Sequence, residues 1–348
     1  MTKDEFRKLT GEGLLILDGA TGSNLQKRGL KTGTCPDKWL LENPEVIIGL
    51  QTEYLEAGSR ILYSSTFSSN RIKLEEYGLA EELPDMNRRL VGLSKEAIRR
   101  FMKQHPEAPE CFVAGDISMT GIQIEPTGPM KFEELVEIYR EQIRYLAEAG
   151  ADMIVVETMM SLQETRAGVI AAKEECSLPV MATMTFEADG RSLFGTDPET
   201  AIITIQALGA DAFGANCSTG PDKMTDVIQK MVRIAKIPVI CKPNAGIPSL
   251  DAEGNTVYDL SPAEFGNQME RIIDSGAVII GGCCGTDPDY IREISAKKTE
   301  YDKKTEHDVM HNNSSGINAE ENLHMLSSER SSLKFTLSDP FMMIGDTI

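Results

Sequence analysis

The sequence predicts an α/β chain folded as a (β/α)8, or TIM, barrel. Three observations predict it. Eight short, apolar, β-rich runs recur between residues 14 and 296, and amphipathic stretches separate them. Four of those stretches end in a small-residue turn, at Gly58-Ser, Gly150-Ala, Gly209-Ala and Gly276-Ala, where a helix C-cap wants positive φ. Alternating strands and helices imply βαβ units and a parallel sheet, and eight of them close most simply into a barrel. An open doubly wound sheet is the alternative.

In chain order the strand runs are 14–18, 60–64, 111–116, 153–157, 179–185, 211–217, 238–242 and 277–281. Helical patterns occupy 45–56, 132–147, 161–173, 221–234 and 262–273. Several begin with Pro, Asp or Ser near the first turn, as helix starts prefer. After Ser295 the composition turns polar. We expect residues 1–296 to form the barrel, 297–330 a polar, flexible linker, and 331–348 the interrupted start of a second domain. The length of 348 residues is a prior of about two domains, although one barrel absorbs ~250 residues or more.

Charge excludes some functions. Lys and Arg number 35 against 54 Asp and Glu, a formal charge of −19, which repels phosphate backbones and anionic lipid. We therefore expect neither nucleic acid nor membrane as a partner. The start of the sequence is charged where a signal peptide turns apolar, and no apolar run reaches the ~20 residues of a membrane span. The seven cysteines are odd in number and two are adjacent, which points to reduced thiols and a cytoplasmic protein. Of four histidines only His105 precedes residue 300, and it sits in a loop-like stretch. Ser-His-Asp, Cys-His and H-E-x-x-H chemistry therefore lack material.

The strongest constellation is three cysteines at two strand ends: Cys217, and the pair Cys283 and Cys284 within Gly-Gly-Cys-Cys-Gly. In a barrel those ends share one rim. Three thiolates suit zinc and leave a tetrahedral position open, the mark of a catalytic site. A buried packing cluster and a glycine phosphate loop remain alternatives. A free thiol is only about 3% ionised at pH 7, and zinc deprotonates it outright. Such a site asks for a thiol substrate and an alkyl donor, with no histidine base. At the same rim stand Asp18, in an Asp-Gly-Ala-Thr-Gly turn, and Glu157, whose apolar strand makes a lone carboxylate costly. Asp116 and the 64–70 Ser/Thr run are further candidates, each equally readable as structural. Lys242 is a conceivable Schiff-base lysine, an ion pair being the stronger reading.

Together these motifs resemble the homocysteine S-methyltransferase family. The matching pieces are Leu17-Asp-Gly-Ala-Thr-Gly22, Thr66-Phe-Ser-Ser-Asn70, Glu157-Thr158, Gly214-Ala-Asn-Cys217, Pro243-Asn-Ala-Gly246 and Gly281-Gly-Cys-Cys-Gly285. The resemblance implies a barrel with catalytic zinc on Cys217, Cys283 and Cys284. It implies that Asp18 and Glu157 meet the homocysteine amino group, that the Ala20–Thr21 turn receives its carboxylate, and that Asn244 lies near the zinc. Asp189–Asp197 and Asn216–Pro221 look like the branch forming the N-terminal module of cobalamin-dependent methionine synthases, and 343–348 is similar to the opening strand of the folate barrel that follows there. That branch implies methylcobalamin as external donor, a cobalamin-binding domain or protein as partner, and methionine as product. S-methylmethionine or betaine as donor, and a catalytically idle zinc- or thiol-binding module, are the rival readings.

Overall fold

The computed structural model describes residues 1–251, 256–311 and 324–335. Each of the eight predicted strand runs contains a strand: β1 (Leu15–Ile16), β2 (Ile61–Tyr63), β3 (Phe112–Ser118), β4 (Met153–Met159), β5 (Val180–Met184), β6 (Ala212–Asn216), β7 (Val239–Lys242) and, eighth in the barrel, β10 (Ile279–Ile280). They form one parallel sheet in the order β1-β10-β7-β6-β5-β4-β3-β2. A parallel bridge between Leu17 and Ile61 joins the two ends of that order and closes the barrel. Two strands, β8 (Pro248–Leu250) and β9 (Thr256–Tyr258), pair as a hairpin inserted after β7.

Between strands lie α2 (Gly22–Lys27), α3 (Pro36–Glu42) and α4 (Pro44–Glu56), then α5 (Arg71–Glu75) and α6 (Leu83–Gln104). Next come α7 (Phe132–Glu148), α8 (Leu162–Glu175), α9 (Pro198–Ala207), α10 (Pro221–Val232), α11 (Pro262–Asp274) and α12 (Pro288–His311). Seven of these helices carry Pro in the first turn, at Pro36, Pro44, Pro84, Pro198, Pro221, Pro262 and Pro288, where its missing N–H would have had no helical partner.

The core has two layers. Helix faces cover the outside of the sheet. Inside, Ile61, Ala114, Val155, Ala212, Ile240 and Ile279 pack on one another, and Phe6 and Leu9 of α1 (Lys3–Gly11) close the floor ahead of β1. Side chains alternate faces along a strand, so two or four residues further on the chain again points inward. That period places Asp116, Glu157, Asn216 and Lys242 inside the barrel at its C-terminal end.

The chain beyond 296 differs from the expected linker. α12 continues through the polar stretch to His311, supported by ion pairs of Lys297 with Glu300 (3.7 Å) and of Lys298 with Asp302 at helical spacing. Strands β11 (His324–Ser327) and β12 (Ser332–Phe335) pair antiparallel. The hairpin lies against α9, where Thr204 Oγ1 meets Ser327 Oγ at 2.9 Å and Thr196 Oγ1 donates to the Glu329 carbonyl at 2.7 Å. Residues 312–323 and 336–348, which include most of the expected second-domain start, lie outside the described residues.

Candidate functional site

A cavity of about 380 Å³ opens at the C-terminal rim, where barrel enzymes carry their chemistry. Its walls include Asp18, Tyr63, Asp116, Glu157, Lys242 and the three cysteines, with Ser64, Ser65 and Phe67 toward the mouth. The sequence-predicted thiols and carboxylates thus meet in one space.

The thiols come from two sharp turns. β6 ends at Asn216, and Cys217 and Ser218 take φ of 64° and 60°. Thr158, after Glu157, has φ 59°, beside a register shift between β4 and β5. These three are the non-glycine residues with positive φ among the described residues, and such strain gathers where surroundings impose it on a working site. After β10, Cys283 donates its N–H to Pro243 O (2.8 Å) and Cys284 O accepts from Ala245 N (2.9 Å). Gly285 then turns at φ 83°, and a Cβ there would strike the Tyr258 ring.

The three Sγ atoms lie within 4.8 Å of one another, Cys217 and Cys284 at 3.9 Å. Zinc–sulfur bonds of about 2.3 Å in a tetrahedron put sulfurs about 3.8 Å apart, so the triad fits zinc. Its electrostatics agree. Hydrogen bonds from Cys217 and Cys283 hold Cys284 well below the usual thiol range, while bonds to Cys217 and Cys284, with burial, push Cys283 well above it. Without a cation the group carries one negative charge at the expense of the others; a dication lets all three ionise. The sulfurs are half-buried and line the cavity, which argues against a packing cluster.

Opposite stands a buried ion cluster. Lys242 Nζ, on a side chain 3% exposed, lies 3.1 Å from Asp18 Oδ1 and 3.2 Å from Glu157 Oε1, and 3.7 Å from the Tyr63 ring centroid. Asp18 Oδ2 accepts from the Tyr63 N–H at 2.7 Å. Burial disfavours the ammonium, but the charges of Glu157 and Asp18 outweigh it and hold Lys242 well above the usual lysine range. A protonated, doubly paired amine has no lone pair for a Schiff base, so the ion-pair reading of Lys242 stands. Burial, then the neighbouring Glu157 charge, push Asp116 well above the carboxylate range.

Other predicted residues fall as follows. Ala20 and Thr21 line the cavity, but the Ala20 N–H already donates to Thr286 Oγ1 at 3.1 Å, which leaves the Thr21 amide for a carboxylate. Asn244 is buried behind the thiols, between the residues that bond to Cys283 and Cys284, with Oδ1 unpartnered. Of the serine run, Thr66 ties to the Asp116 carbonyl (2.7 Å) and Asn70 caps α5. Sequence reasoning missed Asn216, whose amide donates to Thr158 Oγ1 (2.7 Å) and sits 3.8 Å from Cys283 Sγ. It also missed Tyr258, which hydrogen-bonds Cys284 from the inserted hairpin.

A parallel (β/α)8 barrel with thiols and charges gathered at its C-terminal rim is the enzyme form of this architecture. Known proteins agree. A family model described as Homocysteine S-methyltransferase matches residues 15–297. Methionine synthases from Mycobacterium tuberculosis (strain ATCC 25618 / H37Rv) and Mycobacterium leprae (strain TN) are 31% and 29% identical over 299 and 297 residues. Each match covers 81% of this chain and 24% of the relative, so the chain spans about a quarter of their length. The metallated homocysteine methyltransferase MmuM from Escherichia coli shares the fold, with TM-score 0.70, 21% identity, and 84% and 98% of the two chains covered. The chain belongs to the homocysteine S-methyltransferase family, a family of methyltransferase enzymes.

Proposed function

We propose that this chain methylates the thiol of homocysteine to give methionine, with zinc held by Cys217, Cys283 and Cys284 and methylcobalamin as donor. The observation that carries the reading is the three-thiol cluster facing a carboxylate-lined cavity sized for one amino acid. Zinc there would keep a substrate thiol ionised and nucleophilic at neutral pH. The chain's own groups do the rest. The acidic end, Asp18 and Glu157 with Lys242, orients the amino acid by its ammonium group, and the Thr21 N–H donates to its carboxylate. Asn216, itself fixed by Thr158, steadies Cys283, and Tyr258 steadies Cys284. The substrate sulfur loses its proton to solvent and forms the new bond to the methyl carbon. The electron pair of the broken carbon–donor bond leaves with the donor.

Methylcobalamin follows from the resemblance to the cobalamin-dependent branch, whose donor arrives on a cobalamin-binding domain or protein. The reading places the protein in the reducing cytoplasm, where free thiols persist; among the described residues no helix is long and apolar enough to cross a membrane. A second reading takes a small donor such as S-methylmethionine or betaine, the alternative that the family resemblance leaves open. Methionine formation by the zinc-loaded protein, with each donor in turn, separates them. We expect turnover with methylcobalamin and loss of zinc and turnover in Cys283→Ser. Turnover only with the sulfonium or betaine would select the second reading, and zinc and homocysteine binding without turnover would leave an idle module.

A further inference from the structure

Two parts of the cavity come from opposite ends of the barrel sequence. The turn after β1 offers the Thr21 N–H, and the turn after β10 carries Cys283 and Cys284. One side chain ties these turns together. Thr286 is fully buried and stands behind the cavity wall rather than in it. Its Oγ1 accepts from the Ala20 N–H at 3.1 Å and donates to the Cys283 carbonyl at 2.7 Å. A single hydroxyl thus joins the residue before Thr21 to the backbone of one of the three thiols.

The surroundings are built for that tie. A Cβ on Gly19 would come within 2.9 Å of the hydroxyl, and one on Gly282 would strike the same side chain, so each turn gives up a side chain to make room for Thr286. Asn24 Nδ2 donates to the Ala20 and Thr286 carbonyls, each at 2.8 Å, and the Tyr54 hydroxyl donates to the Ala20 carbonyl at 2.7 Å. The Gly285 N–H donates to Ser23 Oγ at 3.2 Å. These bonds cross between the same two turns, and Thr286 Oγ1 reaches both with one atom. Removing it would leave the Ala20 N–H buried without an acceptor, a cost the turn relieves by moving.

We propose that Thr286 is a positioning residue that sets the length of the amino-thiol substrate. A substrate held by its sulfur at the thiols and by its carboxylate at the Thr21 N–H must span the gap between the two turns, and Thr286 fixes that gap. Homocysteine spans it, and cysteine falls one methylene short. The inference rests on the homocysteine reading of the cavity and adds the element that measures the substrate.

Titration calorimetry of the zinc-loaded protein with homocysteine and with cysteine tests it, with zinc content measured after each titration. Wild type is expected to bind homocysteine about 10–200-fold more tightly, the worth of one methylene in a shaped site. Thr286→Val and Thr286→Ala remove the hydroxyl and should cut that ratio about tenfold, chiefly by weakening homocysteine. Thr286→Ser keeps the hydroxyl and should restore the ratio. Zinc content should be the same in all four proteins. A merely structural threonine would weaken both thiols together, and an unchanged ratio overturns the inference. Loss of zinc in the hydroxyl-free variants, or a wild type that binds the two thiols alike, also overturns it. Each of these results leaves the homocysteine reading intact, whereas a wild type that fails to bind homocysteine overturns both.

Discussion

Asp37 shows how much a single burial decides. It lies in α3 on the cavity wall, 3% exposed, with the Cys35 thiol donating to its carboxyl at 3.9 Å. Burial pushes its carboxyl up to about 6, from 3.8 in the unfolded chain. The native state therefore holds this proton more tightly than the unfolded one. The stability that follows is complete below about pH 4 and is lost as pH rises through 6, a change of about 3 kcal/mol. Asp37→Asn is neutral throughout. Urea unfolding should find it more stable than wild type by up to about 3 kcal/mol at pH 7.5 and equal at pH 4; equal stability at both would show that a cation reaches Asp37. Among single residues the sequence was most legible where chemistry is rare. Three cysteines at two strand ends read as one cluster at the rim, and the structure brings them together; Lys242 reads correctly as one member of an ion pair. Asn216 and Thr158 were not legible, because their meeting depends on positive φ at residues whose types do not call for it.

At the scale of elements, local pattern carried the barrel strands and the five predicted helices. Each strand is a buried apolar run bounded by turn residues, and parallel strands covered on both faces must read that way. Several elements escaped, among them the helix past Ser295 and the inserted hairpin. The helix past Ser295 is polar in composition and is sustained by charge pairs at helical spacing, a signal weaker than the loss of apolar residues. The hairpin of β8 and β9 is exposed along most of its length and shows no strict alternation. It nonetheless sets Tyr258 against Gly285 and Cys284. A residue that orients a metal ligand typically contributes about 10–100-fold in metal affinity. Tyr258→Phe keeps the ring and removes the hydroxyl, so zinc affinity measured by competition with a chelator should fall by about that factor. An unchanged affinity would assign the ring to packing alone.

For the molecule as a whole, the thiols join turns 67 residues apart, which only the closed barrel brings together. The unfolded chain holds no such site, so zinc should bind the native state alone. Free zinc at a hundred times its dissociation constant would then stabilise by about 2.7 kcal/mol. Chelation should lower the unfolding midpoint of the wild type and leave Cys283→Ser unmoved; a midpoint indifferent to chelation would remove zinc from the site. By itself the sequence determined the (β/α)8 barrel, the three thiols and the acidic groups at its rim. Strand periodicity and residue chemistry are local properties that survive without a neighbour. The tertiary structure alone decided which groups are free to act. Lys242 pairs with both Asp18 and Glu157, Thr286 occupies the Ala20 amide, and Asp116 is left with an unpartnered oxygen among the described residues. A hydrogen-bond partner or a counter-ion comes from a distant part of the chain, and no spacing along one strand records which group arrives there first.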